Sequence, residues 1–240
     1  MLIGSLDNKK IKDIRKLHQK KYRDETKTFL VEGEHLVKEA YLSGNLLEVI
    51  VLYGEEIDYS VPITYVTENV MKSISELDTP YNIIGICKYQ EEKAIGNKVL
   101  MLDDVQDPGN LGTIIRSSLA FNIDTIILSK KCVDLYNSKV LRACQGMNFH
   151  INIIRDDLKE YINRLKKGDY KIFTTDVNNG KDLKNIEITD KYVIIMGNEG
   201  NGVKEEISSL ADEKIYIKMN KKCESLNVAV ATSIILYQLS

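Results

Sequence analysis

Val99–Phe121, VLMLDDVQDPGNLGTIIRSSLAF, is the stretch on which the fold turns. Val99 to Leu102 form a continuous apolar run of the length a buried strand needs. Asp103 and Asp104 follow, then the turn-forming Asp107-Pro108-Gly109-Asn110. Leu111, Ile114, Ile115 and Leu119 then recur at helical spacing. Strand, tight polar loop and helix start make the arrangement in which free backbone N–H groups can meet a ligand. A loop that only reversed the chain would need neither the amide of Asn110 nor the guanidinium of Arg116, so it is read as the active-site loop.

Toward the C-terminus, strands are expected at 125–128, 149–154, 170–175, 192–196 and 214–217. Helices are expected between them at 138–145, 156–167 and 203–210, with a last one at 226–239. Strands separated by helices predict an α/β domain with a mostly parallel sheet. Two further polar loops follow apolar strands: Gly197–Gly202 after Val193–Met196, and Met219–Asn227 after Ile215–Ile217. Ligands gather beyond the carboxyl ends of strands in such sheets, so the three loops count as one candidate site.

Each loop taken singly has a plain reading. GNEGNG can be only a turn, Ser225 can cap the last helix, and Ala229, Ala231 and Ser233 can serve ordinary helix packing. Glu199 is the informative residue, because a phosphate cradle would avoid a carboxylate at its centre. There is no Walker loop, and no GxGxxG follows an early strand, which disfavours a nucleotide- or dinucleotide-binding enzyme.

Toward the N-terminus, strands are expected at 28–31, 47–53, 62–66 and 83–89. Helices are expected at 34–43 and at 68–77, the latter with Thr67 as N-cap. This is a second, smaller α/β unit, a three-layer sandwich. Gln90–Lys98, QEEKAIGNK, is polar and carries a glycine. The domains are therefore placed at 1–90 and 99–240, with 91–98 as linker.

The net charge of −2 argues against a chain that is basic all over. Between Lys9 and Lys27, however, nine Lys/Arg face only three acids, and Ile11, Ile14 and Leu17, with His18 beside them, can form the buried stripe of a basic helix. That helix is either a solvated face or a phosphate-binding one, with Lys20, Lys21 and Arg23 as the candidates for contact with nucleic-acid phosphates. Four cysteines without a CxxC pair, and three scattered histidines, give no disulfide framework and no metal site. No apolar run approaches the roughly 20 residues of a membrane span, and the first residues lack a signal-peptide pattern. A cytoplasmic setting is the simplest expectation.

DDVQDPGNLGTIIRS resembles the first signature of the SpoU/TrmH RNA 2′-O-ribose methyltransferases, MGNEGNGV the second and IKMNKKCESLNVAVA the third. Their order and spacing fit over roughly Val99–Leu239. The segment with KKYRDETKTFLVEG resembles the small RNA-binding domain that precedes the catalytic domain in many members. The resemblance implies a parallel α/β sheet threaded into a deep trefoil knot, a rare exception to unknotted folding. It also implies S-adenosylmethionine as methyl donor and a homodimer as working form.

Carried over by position, Gly197, Ile217, Met219 and Leu226 would line the cofactor pocket. Asn110, Arg116, Glu199, Ser225 and Asn227 would be the polar residues of the reaction site. Arg116 would hold a phosphate and steady developing alkoxide charge, since a free guanidinium hardly deprotonates. Asn110 would orient the loop or the ribose, Glu199 the arginine or an RNA group, and Ser225 and Asn227 the cofactor loop. Lys218 stands where proline is common, and Lys221 where glycine is common. The expected substrate is RNA, ribosomal before transfer RNA, and the competing reading is a non-catalytic RNA-binding protein of the same fold.

Overall fold

The computed structural model describes residues 2–177 and 179–240. In chain order its first elements are β1 (Leu2–Ile3), α1 (Lys9–Lys16), α2 (Lys20–Thr26), β2 (Thr28–Glu32) and α3 (Glu34–Leu42). Next come β3 (Leu46–Leu52), β4 (Ile63–Val66), α4 (Glu68–Ile74), β5 (Ile83–Lys88), β6 (Lys98–Leu102) and α5 (Pro108–Ala120). Then follow β7 (Thr125–Leu128), α6 (Ser138–Cys144), β8 (Asn152–Arg155), α7 (Leu158–Lys166), β9 (Lys171–Thr175) and β10 (Lys181–Asp182). The last are β11 (Tyr192–Met196), α8 (Glu205–Ser208), β12 (Glu213–Tyr216) and α9 (Val228–Leu239).

These form two compact units, one of residues up to 91 with 134–150, the other of 92–133 with 151–240. In the first, the sheet runs β1-β4-β3-β5-β2, with β1, β4 and β3 parallel and β5 antiparallel to both β3 and β2. Alternate side chains of a strand serve opposite faces. Val49 and Val51 accordingly join one core with Phe29, Val37, Leu141 and Phe149, while Ile50 joins another with Ile11, Val70 and Ile74. A sheet with a core on each face is the three-layer arrangement expected.

The second unit holds seven strands in the order β10-β12-β9-β11-β6-β7-β8, every neighbouring pair parallel. Val99 to Leu102, Ile126 to Leu128 and Val193 to Ile195 are all fully buried, which is why these strands read as continuous apolar runs. Val99, Met101, Val193 and Ile195 pack with Leu158, Ile162 and Leu165 of α7. α5 packs against α9, where Ser117 and Ser233 share a hydroxyl hydrogen bond of 2.7 Å. Small side chains at that crossing permit the approach.

Several expectations are revised. The basic segment is two helices, because α1 closes at Leu17 and the chain restarts after Gln19. Residues 92–98 are not a free linker: Lys93 N–H donates to Asn152 Oδ1 at 3.0 Å, and Tyr170 donates to the Gly96 carbonyl at 2.9 Å. The helix expected at 203–210 shrinks to the four residues of α8, and residue 149 lies in a 3₁₀ turn, not in a strand. Thr67 precedes α4, but its hydroxyl bonds the Asn69 side chain and caps no backbone N–H.

Candidate active site

β9, β11 and β12 end on one side of the second unit, and the loops beyond them enclose a cleft of about 470 Å³. Gly197, Ile217, Met219, Ser225 and Leu226 all line it. Gly197 permits the shape of the middle loop. A Cβ there would stand 2.0 Å from the Gly202 carbonyl carbon and 2.1 Å from Val203 N. The loop closes on itself through paired backbone bonds between Asn198 and Gly202, each 3.0 Å.

The first loop is built by local capping. Asp107 is the N-cap of α5, its Oδ1 accepting Asn110 N–H at 2.8 Å, and Pro108 occupies the first turn, where no N–H is missed. Two backbone amides just before the helix are occupied by Glu199. Its carboxylate accepts from Gln106 N–H at 3.4 Å and Asp107 N–H at 3.3 Å. A carboxylate at a helix N-terminus also meets the positive end of the dipole. The loop therefore does not offer these amides to a ligand phosphate, contrary to the first reading of Val99–Phe121.

Glu199 goes on to fix two asparagines. A carboxylate only accepts, so it draws the Asn110 amide nitrogen, Nδ2 to Oε1, at 3.0 Å. That turns Asn110 Oδ1 outward, where it accepts from Asn227 Nδ2 at 2.9 Å. Asn227 Oδ1 is left to cap α9, accepting from Ala229 N–H at 2.9 Å and Val230 N–H at 3.3 Å. One donor–acceptor chain thus runs from the second loop through the first to the third. The cap of the last helix is Asn227 and not Ser225, whose carbonyl accepts from Cys223 Sγ at 3.2 Å.

Arg116 stands apart. It is exposed on α5 and makes no side-chain hydrogen bond or ion pair with any described residue. Glu199 therefore holds a loop and does not hold the arginine.

Sequence reasoning missed the buried base of the site. Asp103 is 1% exposed, and its carboxylate takes both Lys204 N–H and Lys204 Nζ at 2.9 Å. Lys204 Nζ also reaches Asp104 Oδ2 at 2.6 Å. Asp104 adopts a left-handed backbone (φ 58°), fastened by Ser129 at its N–H and carboxylate and by Asn198 Nδ2 at its carbonyl, 2.8 Å. Burial alone would raise the Asp104 carboxyl, but hydrogen bonds from Lys204 and Ser129 hold it below its ordinary value. Burial likewise works against the Lys204 charge, and the two carboxylates overcome it, pushing its pKa up to about 12. The paired aspartates of the opening stretch were the visible signal, but nothing local named their lysine.

In the first unit, Lys20 pairs with Asp24 on the surface, and Lys21 is exposed beside the Tyr22 ring. Arg23 is 6% exposed. Its guanidinium donates to the Leu17 and His18 carbonyls at 2.7 and 2.8 Å and to Asp134 Oδ2 at 2.7 Å. It closes the end of α1 and is not available to a phosphate. Arg23 is withdrawn as an RNA-binding residue.

The cleft suits the cofactor that the resemblance implies. Its volume lies in the ordinary range for a ligand of that size. Met196, Ile217, Leu226 and Ile235 offer apolar walls for a base, and Asp176, Glu205 and Glu224 offer negative charge to a sulfonium. Among the described residues, no cluster of His, Cys, Asp and Glu could hold a metal ion, and no helix is long and apolar enough to cross a membrane.

Comparison with known proteins agrees with this geometry. Residues 97–237 match the SpoU rRNA Methylase family, and residues 8–85 match the MRM3-like substrate binding domain. The chain is 39% identical over 243 residues to the 23S rRNA (guanosine(2553)-2′-O)-methyltransferase RlmP of Bacillus subtilis, covering 99% of this chain and 98% of that one. An AdoMet-bound rRNA methyltransferase from Sinorhizobium meliloti superposes with a TM-score of 0.88 at 31% identity, over 99% of this chain and 96% of that one. A structure described as an RNA 2′-O ribose methyltransferase gives 0.83 at 25% identity, over 99% and 97% of the two chains.

Proposed function

Because the chain belongs to the SpoU rRNA methylase family, we propose that it methylates a ribose 2′-hydroxyl of ribosomal RNA with S-adenosylmethionine as donor. The observation that carries this reading is the Glu199–Asn110–Asn227 relay, which ties the first loop, with Arg116 unpartnered on its helix, to the two loops that line the cleft. The ribosomal preference rests on the RlmP relative and on the separate N-terminal substrate domain. A non-catalytic RNA-binding protein would have no need to keep that relay and a free guanidinium together.

S-adenosylmethionine supplies an electrophilic methyl group when bound. Gly197, Ile217, Met219 and Leu226 are assigned to its pocket, the glycine through its backbone and the others through apolar contact. Asn110 and Glu199 act by position, fixing where α5 starts and therefore where Arg116 stands. Arg116, with no internal partner, is assigned to an acceptor-side phosphate and to the negative charge that builds on the attacking 2′-oxygen. Asn227 holds the third loop through its cap, and Ser225 sits on the cleft wall.

The working form proposed is a homodimer. Val230, Ile234 and Tyr237 are 48%, 39% and 70% exposed at spacings that place them on one face of α9, an apolar stripe that a second copy would cover. The deep trefoil knot is proposed on the resemblance alone. A cytoplasmic, reducing setting is proposed from four cysteines scattered without a CxxC pair. Methyl transfer from labelled S-adenosylmethionine into total RNA, followed by mapping of the modified ribose, tests the function. Label in a base, or in no RNA, would overturn it.

A further inference from the structure

The loop between β12 and α9 has two sides of different chemistry. Ile217, Met219, Glu224, Ser225 and Leu226 line the cleft, whereas Lys218, Lys221 and Lys222 are exposed and do not line it. Asn220 shapes the bend between them: its carbonyl accepts Cys223 N–H at 2.9 Å and its side chain accepts Lys222 N–H at 3.0 Å. The three lysines make no side-chain hydrogen bond or ion pair with any described residue. Carboxylates hold other lysines of this unit, among them Lys159 (Glu206), Lys166 (Asp212), Lys171 (Glu213), Lys204 (Asp103, Asp104) and Lys214 (Asp176), so those ammonium groups are already engaged and these three are not. The one acid within the loop, Glu224, lies on the cleft side.

We propose that Lys218, Lys221 and Lys222 form a cationic edge that grips backbone phosphates of the RNA acceptor strand, on the outer side of the loop whose inner side holds the cofactor. An ammonium strip without carboxylate partners, on a chain of net charge −2, suits a polyanion, and each phosphate neutralised would release counterions. The strip borders the cleft itself, so it would hold the strand next to the reacting ribose, a different task from substrate capture by the N-terminal domain. This inference rests on RNA being the substrate.

The test is the salt dependence of binding between the full chain and fragmented total RNA, for the wild type and for the triple variant Lys218→Gln, Lys221→Gln, Lys222→Gln. If three phosphate contacts are lost, the slope of log affinity against log salt should become shallower by about 2, and affinity near 0.1 M salt should fall by about tenfold. S-adenosylmethionine affinity should stay within twofold of wild type, which also reports that the loop has folded. Should the triple variant lose the cofactor, the single variants Lys221→Gln and Lys222→Gln take its place, each expected to reduce the slope by roughly 0.7. Wild-type RNA binding with an unchanged slope in the variants overturns the cationic edge alone. Failure of the wild type to bind or methylate RNA overturns the functional reading beneath it.

Discussion

Asn227 Nδ2 donates to Asn110 Oδ1 at 2.9 Å, joining the cap of α9 to the first turn of α5 across 117 residues of sequence. The same Asn227 side chain accepts from two backbone N–H groups of its own helix. One residue therefore secures a helix end and the gap between two site loops. Asn227→Ala should cost about 1 kcal/mol for the lost cap alone. It should also weaken S-adenosylmethionine binding, because the third loop would no longer be fixed to the first. Chemical denaturation of Asn110→Ala, Asn227→Ala and the double variant measures the coupling; strictly additive losses would mean the two amides act independently.

Arg116 should separate chemistry from binding. It is exposed and without an internal partner, so Arg116→Ala should shift stability by no more than about 0.5 kcal/mol. Cofactor affinity should be unchanged, since Arg116 does not line the cleft. Methyl transfer should fall by about a hundredfold or more, the scale of losing a preorganised oxyanion donor. Undiminished turnover with labelled cofactor would remove Arg116 from the mechanism.

Arg23 and Lys21, two residues apart, should respond in opposite ways. Arg23→Ala leaves Asp134 and two helix-terminal carbonyls without their buried donor, a loss of about 3–5 kcal/mol. Lys21→Glu touches no internal partner except the neighbouring Tyr22 ring and should leave the melting transition nearly in place. It should weaken RNA binding, and increasingly so at low salt. Thermal denaturation and salt-titrated RNA binding on both variants decide the assignment.

How far the sequence discloses the molecule follows from how local each interaction is. The strand at Val99–Leu102 and the start of α5 are legible because an apolar parallel strand and an Asp-Pro cap are written in consecutive residues. The three loops could be grouped because parallel strands bring their carboxyl ends together. The role of Arg23 was not legible, since its carboxylate partner lies 111 residues away. The same holds for Asp103, whose lysine is 101 residues on, and for Glu199, which reaches back 92 residues to the amide of Asp107. Sequence pattern names the chemical types in the site, while the choice of partner is a product of the sheet order.

The Asp104–Lys204 ion pair should be indifferent to pH over a wide window. Asp104 has a folded pKa below its ordinary 3.8, so its contribution is present above that value and is lost as pH falls through the lower folded one. Lys204, raised from 10.5 to about 12, contributes fully below its ordinary value and loses that contribution as pH rises through about 12. Lys204→Met should therefore destabilise the protein equally at any pH from about 5 to 10, and less below about pH 4. Urea denaturation of both proteins at pH 3.5, 6 and 9 checks this; a penalty that varies between 6 and 9 would show that another group controls the pair.

Gly197 and Gly200 lie three residues apart in the same loop and differ in what surrounds them. At Gly197 a Cβ meets backbone atoms of Gly202 and Val203 at 2.0 and 2.1 Å, and neither can move without opening the Asn198–Gly202 pair. At Gly200 the nearest atom is Asn198 Oδ1 at 3.5 Å, an ordinary contact. Gly197→Ala should therefore raise the cofactor dissociation constant by at least about tenfold, equivalent to about 1.4 kcal/mol. Gly200→Ala should leave it within twofold. The comparison isolates backbone closure from general loop tolerance, because both changes add one methyl group to the same turn. Isothermal titration of S-adenosylmethionine into the two variants measures it, and equal affinities would show that closure of the Gly197–Val203 loop does not shape the cofactor wall.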